Sequence, residues 1–253
     1  MRFHVDQNRR IARGVYRMEL TGDTRELTRP GQFVQVALPG FYLRRPLSVC
    51  DWVKGEQGSL TLIYKALGQG TRQLGEMQPG DSLDLLTGLG NGYDVDGLPD
   101  VQACERPLLV GGGVGTPPLF GLCKALLVLG KKPVVVLGFG TADEIFLDRE
   151  FADLGVSVHL CTLDGSAGRK GLVTLGMQEL RGQFDYVFAC GPEPMLRAVH
   201  AQAQESGIPG QYSFEERMAC GFGVCMGCSC ETKYGSRRIC KDGPVLRGEE
   251  IRW

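Results

Sequence analysis

Of the ten cysteines in the chain, five crowd into its carboxyl-terminal stretch, at positions 220, 225, 228, 230 and 240. Cys220-GFGV-Cys225-MG-Cys228 has the C-x4-C-x2-C spacing that wraps three thiolates around a plant-type [2Fe-2S] cluster, and Cys240, twelve positions beyond Cys228, suits the distant fourth ligand. Gly221, Gly223 and Gly227 permit the tight turns such a loop needs, where a β-carbon would obstruct. The fourth thiolate must return from a separate segment, such as the far end of a short hairpin. Cys230 competes for that place, because in an extended Cys228-Ser229-Cys230 segment both thiols point to the same side. Geometry leaves both open, and the plant-type pattern puts Cys240 ahead. The competing chemistry is a structural zinc site, which usually draws on paired C-x2-C knuckles; only one such pair is present.

The other five cysteines, Cys50, Cys104, Cys123, Cys161 and Cys190, stand singly in or beside apolar segments. The start, MRFHVDQNRR, is polar, and the most apolar stretch, Leu119 to Leu129, is too short for a membrane span and carries Lys124. A cytoplasmic, non-membrane protein is expected, where reducing conditions favour reading clustered cysteines as metal ligands rather than disulfides. The formal net charge of -1 leaves no general basic field for a nucleic-acid backbone.

A length of 253 residues suits two modest domains with an appendage. Up to about residue 102, short runs such as Phe33 to Leu38, Leu60 to Tyr64 and Leu83 to Leu86 alternate with turns at Pro30-Gly31, Pro39-Gly40 and Pro79-Gly80. That punctuation predicts a small antiparallel β-barrel over residues 1–102. From Pro107 the apolar runs Leu108 to Val110, Val134 to Phe139, Val156 to Cys161 and Tyr186 to Cys190 alternate with helical segments. Buried parallel strands read this way, so residues 103–209 are expected to form a doubly wound α/β domain. Residues 210–253 then form a small cysteine-loop region.

Three further motifs bear on chemistry. Gly111-Gly112-Gly113-Val114-Gly115-Thr116-Pro117-Pro118 runs from a strand into a helix that begins at proline, so a diphosphate could approach the amides at the positive end of the helix. It lacks the G-x-G-x-x-G pattern, and the competing reading is an ordinary tight strand-to-helix turn. Cys190-Gly191-Pro192-Glu193-Pro194-Met195 closes the last strand of that domain; ligands bind outside the carboxyl ends of strands, so both loops should face one crevice. In the barrel, Arg44-Arg45-Pro46-Leu47-Ser48 offers guanidinium groups for a diphosphate, although two arginines alone are more often a solvated pair.

A barrel with Arg45-Pro46-Leu47-Ser48, an α/β domain with a glycine-rich loop and a late Cys190-Gly191-Pro192 together resemble the ferredoxin-NADP reductase superfamily. With the cysteine loop following, the whole chain resembles the electron-transfer subunits of class 1B dihydroorotate dehydrogenases. That resemblance implies FAD, one [2Fe-2S] cluster and NAD(H). It also implies a separate FMN-containing catalytic subunit of pyrimidine biosynthesis, joined in a heterotetramer of two copies of each chain. It places Arg45 and Pro46 at the FAD diphosphate, Leu47 and Ser48 beside the flavin, and Ile63, Tyr64 and Lys65 on a strand lining it. Gly70 and Thr71 resemble the turn that closes over the diphosphate. Gly111, Gly112, Gly113, Gly115 and Thr116 would cradle NADH, with Cys190, Gly191 and Pro192 near the nicotinamide, and Cys220, Cys225, Cys228 and Cys240 would ligate the cluster. Leu47 stands where the wider superfamily carries tyrosine, so no aromatic packing on the flavin is expected there.

In Gly140-Thr141-Ala142-Asp143-Glu144 acidic groups follow the second α/β strand, which suits a free ribose hydroxyl and hence NADH over NADPH. Lys233, Arg237, Arg238 and Lys241 near the cysteines would guide an acidic partner, raise a cluster's potential, or simply solvate a hairpin. His4, His159 and His200 are widely separated and suggest no ligand set, and no side chain is expected to act as a strong acid or base. Two other readings compete. One is an electron-transfer flavoprotein subunit of a sulfide dehydrogenase or an NAD(P)H-ferredoxin oxidoreductase. The other is a non-catalytic nucleotide-binding module held by zinc.

Overall fold

A computed structural model describes residues 1–253. The amino-terminal strands β1 (Arg2–Ala12), β2 (Val15–Gly22), β3 (Phe33–Ala37), β4 (Arg45–Val53), β5 (Gly58–Lys65) and β6 (Ser82–Leu89) close into a barrel in the order β1-β2-β5-β4-β3-β6. One short helix, α1 (Gln69–Glu76), bridges β5 and β6. Strand alternation sets the two surfaces of the barrel wall. Val34, Val36, Leu60, Leu62 and Tyr64 fill the interior, whereas Phe33 and Ile63 join cores outside it.

After a short helix α2 (Pro99–Ala103), the chain lays down β7 (Pro107–Gly112), α3 (Pro117–Val128), β8 (Val134–Phe139), α4 (Asp148–Asp153), β9 (Ser157–Thr162), β10 (Arg169–Lys170), α5 (Val173–Glu179), β11 (Tyr186–Cys190) and α6 (Glu193–Glu205). Side chains of β7, β8 and β11 alternate between two cores. Leu109, Val135, Leu137 and Phe188 face α3 and α4, while Leu108, Val110, Val136 and Val187 face α5 and α6. The sheet is therefore covered on both faces, which is why these strands read as unbroken apolar runs.

The expected boundary between 209 and 210 falls between α6 and the next strand, but the sheet does not stop there. β12 (Gly210–Ser213) pairs in parallel with β11, and β15 (Val245–Arg247) adds antiparallel to β12, giving seven strands in the order β10-β9-β8-β7-β11-β12-β15. The cysteine region is thus an excursion between two strands of the α/β sheet. It contains one hairpin, β13 (Ser229–Thr232) with β14 (Gly235–Arg238), and Cys240 lies just past its far strand.

Barrel and sheet share a core: Val15, Cys50 and Ile63 pack with Leu109, Leu119 and Leu122. A β-carbon on Gly121 would lie 2.9 Å from the Cys50 carbonyl oxygen, so α3 rests directly on β4, and Lys124 clamps Asp51 at 2.6 Å. No helix is long and apolar enough to cross a membrane.

Candidate cofactor cleft and cysteine loop

The cysteine loop is shaped by left-handed residues at Gly221 (φ 80°), Gly223 (φ 88°) and Met226 (φ 60°). Gly227 sits in the turn closed by the Ser229 N–H on the Met226 carbonyl at 3.3 Å, with Met226 rather than Gly227 in the left-handed region; a β-carbon on Gly227 would come within 3.6 Å of the Cys225 sulfur. Arg238 holds the loop from behind. Its Nη1 donates to the Gly223 carbonyl at 3.0 Å, while Nε and Nη2 grip the Asp242 carboxylate at 2.8 and 3.0 Å. The Arg238 guanidinium holds Asp242 down to about 2 from the usual 3.8. Of the four nearby basic residues, Arg238 is therefore a structural clamp, and Arg237 lies 4.0 Å from Glu250.

The expected ligand sulfurs meet in two pairs. Cys220 and Cys225 interact through their side chains, and the Cys240 N–H donates to Cys228 Sγ over 3.4 Å. Desolvation pushes the Cys220 thiol up, but N–H groups of Cys225, Phe222 and Val224 outweigh it and bring it to about 6. Burial and the neighbouring Cys228 push Cys240 up to about 12. One pair is buried, at Cys228 and Cys240, and the other reaches the surface at Cys225. No three Cys, His, Asp or Glu side chains converge where one ion would bind. Two pairs suit a binuclear cluster with four cysteine ligands. Cys230, on the first strand of the hairpin, lines the adjacent cleft with Glu216 and Glu231, and burial followed by those carboxylates raises its thiol.

That cleft, of about 740 Å³, lies between Leu43 to Pro46 of the barrel, Gly191 to Glu193 at the carboxyl end of β11 and Phe214 to Met218 of the cysteine region. Its volume is in the range of cofactor pockets, about 300–1,000 Å³. The two arginines part company here. Arg44 is consumed by Asp84, paired at 2.5 Å, and by the Asp84 carbonyl at 3.0 Å. Arg45 instead lies over the Phe41 ring, 4.6 Å from its centroid, and a β-carbon on Gly70 would come within 2.8 Å of its Nε. Gly70 thus lets the first turn of α1 close against Arg45, with Thr71 Oγ1 accepting from the N–H of Leu67 and Gly68 at 3.1 and 3.2 Å. The guanidinium and the free amides of that turn suit an anionic diphosphate.

The proposed flavin strand divides its side chains. Tyr64 turns into the barrel, stacks on Tyr16 and donates to Asn8 at 3.1 Å, so only its backbone faces outward. Ile63 lies in the interdomain core. Lys65 pairs with Glu144 at 3.0 Å, and Arg13 reaches the same carboxylate at 3.2 Å. Glu144 is thus committed to tying the α/β sheet to the barrel, with its carboxyl held below the usual range mainly by Lys65. Asp143 pairs with Arg13 at 3.4 Å, leaving neither acid free as first supposed for a ribose.

The Gly111–Thr116 and Cys190–Pro192 loops touch directly, and of the two only the second, through Gly191 and Pro192, lines the cleft. A β-carbon on Gly115 would sit 2.3 Å from the Cys190 carbonyl oxygen, and those on Gly112 and Gly191 would each lie 2.5 Å from the Met195 side chain. Gly115 is needed for the close backbone approach of its loop to the end of β11, while Gly112 and Gly191 leave room for the Met195 side chain. Gly113, at φ 52°, meets nothing and leaves the loop open toward a ligand. Thr116 is fully buried with its Oγ1 unpartnered. Burial pushes the Cys190 thiol up to about 12, so it stays neutral. Residues missed in the sequence also build the cleft: Trp253 lines it, donating Nε1–H to His200 Nδ1 at 2.6 Å, and nothing near the terminus signals this in advance.

Residues 215–252 match a family described as the iron-sulfur cluster binding domain of dihydroorotate dehydrogenase B. The dihydroorotate dehydrogenase B (NAD(+)) electron transfer subunit of Bacillus caldolyticus is 43% identical over 99% of this chain and 97% of its own length. That of Fusobacterium nucleatum is 38% identical over 98% and 96%. Among solved structures, an NADH-dependent reduced ferredoxin-NADP oxidoreductase studied for flavin-based electron bifurcation superposes with a TM-score of 0.88 at 33% identity, covering 99% of this chain and 89% of that one. Phthalate dioxygenase reductase, at 17% identity and a TM-score of 0.67, shares the fold over 92% of this chain and 86% of its own.

Proposed function

The chain belongs to the family of dihydroorotate dehydrogenase B electron transfer subunits, and from that membership we propose that it relays electrons between NAD(H) and a separate dihydroorotate-oxidising subunit, using FAD and one [2Fe-2S] cluster. The observation that carries this reading is the packing of the paired cysteine sulfurs onto the outer face of the barrel strand next to Arg45 and Pro46. Phe33 of β3 shares a core with Cys228 and Cys240, while β4, its neighbour, lines the cleft.

In this reading Arg45 and the amides at Gly70 and Thr71 hold the FAD diphosphate, with Pro46, Leu47 and Ser48 and the backbone of Ile63, Tyr64 and Lys65 beside the ring. Gly111, Gly112, Gly113, Gly115 and Thr116 shape the NAD(H) diphosphate loop, and Cys190, Gly191 and Pro192 border the nicotinamide. Flavin, when bound, supplies the exchange between hydride and single-electron chemistry. Cys220, Cys225, Cys228 and Cys240 hold the cluster. The protein's own work is to fix the order and spacing of these groups and to exclude water; no side chain need move a proton as a strong acid or base.

The partner would be an FMN-containing catalytic subunit, joined as two copies of each chain. Phe222, Val224 and Met226 support a docking face at the cluster, because alternate residues of the cysteine loop present apolar side chains 52%, 73% and 54% exposed. The test is reconstitution. The purified chain should oxidise NADH with artificial one-electron acceptors and leave dihydroorotate untouched, and adding the catalytic subunit should give dihydroorotate-dependent NAD reduction. NADH oxidation that no catalytic subunit couples to dihydroorotate would refute the assignment.

A further inference from the structure

Gln35 is fully buried on β3, and neither end of its amide has a hydrogen-bond partner. Native folds rarely leave a buried amide so, and each case calls for an explanation. Strand alternation points it out of the barrel, since Val34 and Val36 on either side fill the interior. Its cross-strand neighbours on that outer face are Pro46 on β4 and Leu86 on β6, neither of which has a polar side-chain group to offer. Arg44 reaches the Gln35 backbone carbonyl, at 3.3 Å, and the cysteine loop packs on the Gln35 side chain. A β-carbon on Gly221 would fall 2.6 Å from Gln35 Nε2 and 2.7 Å from its Cγ, so the glycine after Cys220 exists at that point to let the amide in.

We infer that Gln35 is a hydrogen-bond donor to the iron-sulfur cluster, aimed at the sulfur of Cys220 or the sulfide next to it from the strip of barrel wall that separates cluster from flavin cleft. The inference rests on the cluster assignment above and adds a residue to it. Thiolate and sulfide sulfurs accept hydrogen bonds and do not donate them, so the NH₂ end is the one that faces them. Donors to cluster sulfurs favour the reduced, more negative state and raise the potential. Pro46, opposite Gln35, lines the cleft, which puts the amide between the two redox groups.

The test compares wild type with Gln35→Met, which keeps length and loses the donor, and Gln35→Glu, which keeps shape and adds charge. Iron, labile sulfide and flavin contents are measured first. The cluster midpoint is then titrated, and exchangeable-deuteron couplings to the reduced cluster are recorded by electron-nuclear double resonance. With full iron content, Gln35→Met is expected to shift the one-electron equilibrium about tenfold toward the oxidised cluster, ~59 mV for a single electron. It should also erase one exchangeable coupling, and Gln35→Glu should shift further in the same direction. The flavin midpoint should stay in place. An unmoved cluster midpoint with all couplings retained overturns the role of Gln35 and leaves the electron relay intact, whereas absence of iron from the wild type overturns the relay itself.

Discussion

The backbone N–H of Cys240 donates to the sulfur of Cys228 across 3.4 Å, joining the end of the C-x4-C-x2-C loop to the residue that returns past the hairpin. The bond forms because β13 and β14 pair Ser229 with Arg238 and so bring the following residues back beside Cys228. Cys230, one strand position on, is turned toward the cleft. Cys240→Ser and Cys228→Ser are therefore expected to lose essentially all iron, and Cys230→Ser to retain it. Iron determination with visible spectra of the three variants checks this.

Arg238 joins the Gly223 carbonyl to Asp242, and its removal leaves a carbonyl and a carboxylate without their donor. Arg238→Ala should loosen the loop, seen as faster loss of iron to a chelator. The pH dependence has a definite sign. Asp242 titrates lower in the folded protein, about 2 against 3.8, so its contribution is complete above about pH 4 and disappears as pH falls toward 2. Thermal melts of the metal-free protein, in which Asp242→Asn shows a flatter acid limb than wild type, measure it.

Glu144 links Lys65 and Arg13 of the barrel to the Gly140 amide of the sheet, at 3.0, 3.2 and 3.1 Å. Glu144→Ala should cost about 1–3 kcal/mol of stability and weaken NADH-driven flavin reduction, because the two halves of the cleft lose a tie. The carboxyl is held below its ordinary 4.5, so the tie is present above that pH and is lost in acid. Calorimetry and stopped-flow flavin bleaching read the two effects.

Gly115 has no room for a side chain: its β-carbon would meet the Cys190 carbonyl at 2.3 Å, and its φ is not in the left-handed region. Gly115→Ala must therefore push β7 and β11 loops apart, and a displacement of that size costs on the order of 100-fold in rate where a reactant is positioned. The expected variant keeps FAD and iron and reduces its flavin with NADH about 100-fold more slowly.

Much of this was readable from local pattern. Val134 to Phe139 and Tyr186 to Cys190 announced buried parallel strands, and the cysteine spacing announced its loop, because both signals lie within a few neighbouring residues. β1 was not legible: of its eleven residues only Phe3 and Val5 are buried, so the alternation that marks a strand is nearly absent. Nor was the role of Gln35, since Phe33–Ala37 reads as a short apolar run with one polar residue and the outer face is covered by Gly221, far along the chain. Asp143 and Glu144 looked available for a ribose because nothing nearby in sequence reveals Arg13 and Lys65.

The account stands on four sulfurs binding two irons beside a flavin. Anaerobically purified protein should contain two irons and two acid-labile sulfides per FAD, as one [2Fe-2S] cluster requires, with a visible spectrum that NADH bleaches. Protein carrying one zinc and no labile sulfide, colourless apart from flavin, would contradict it.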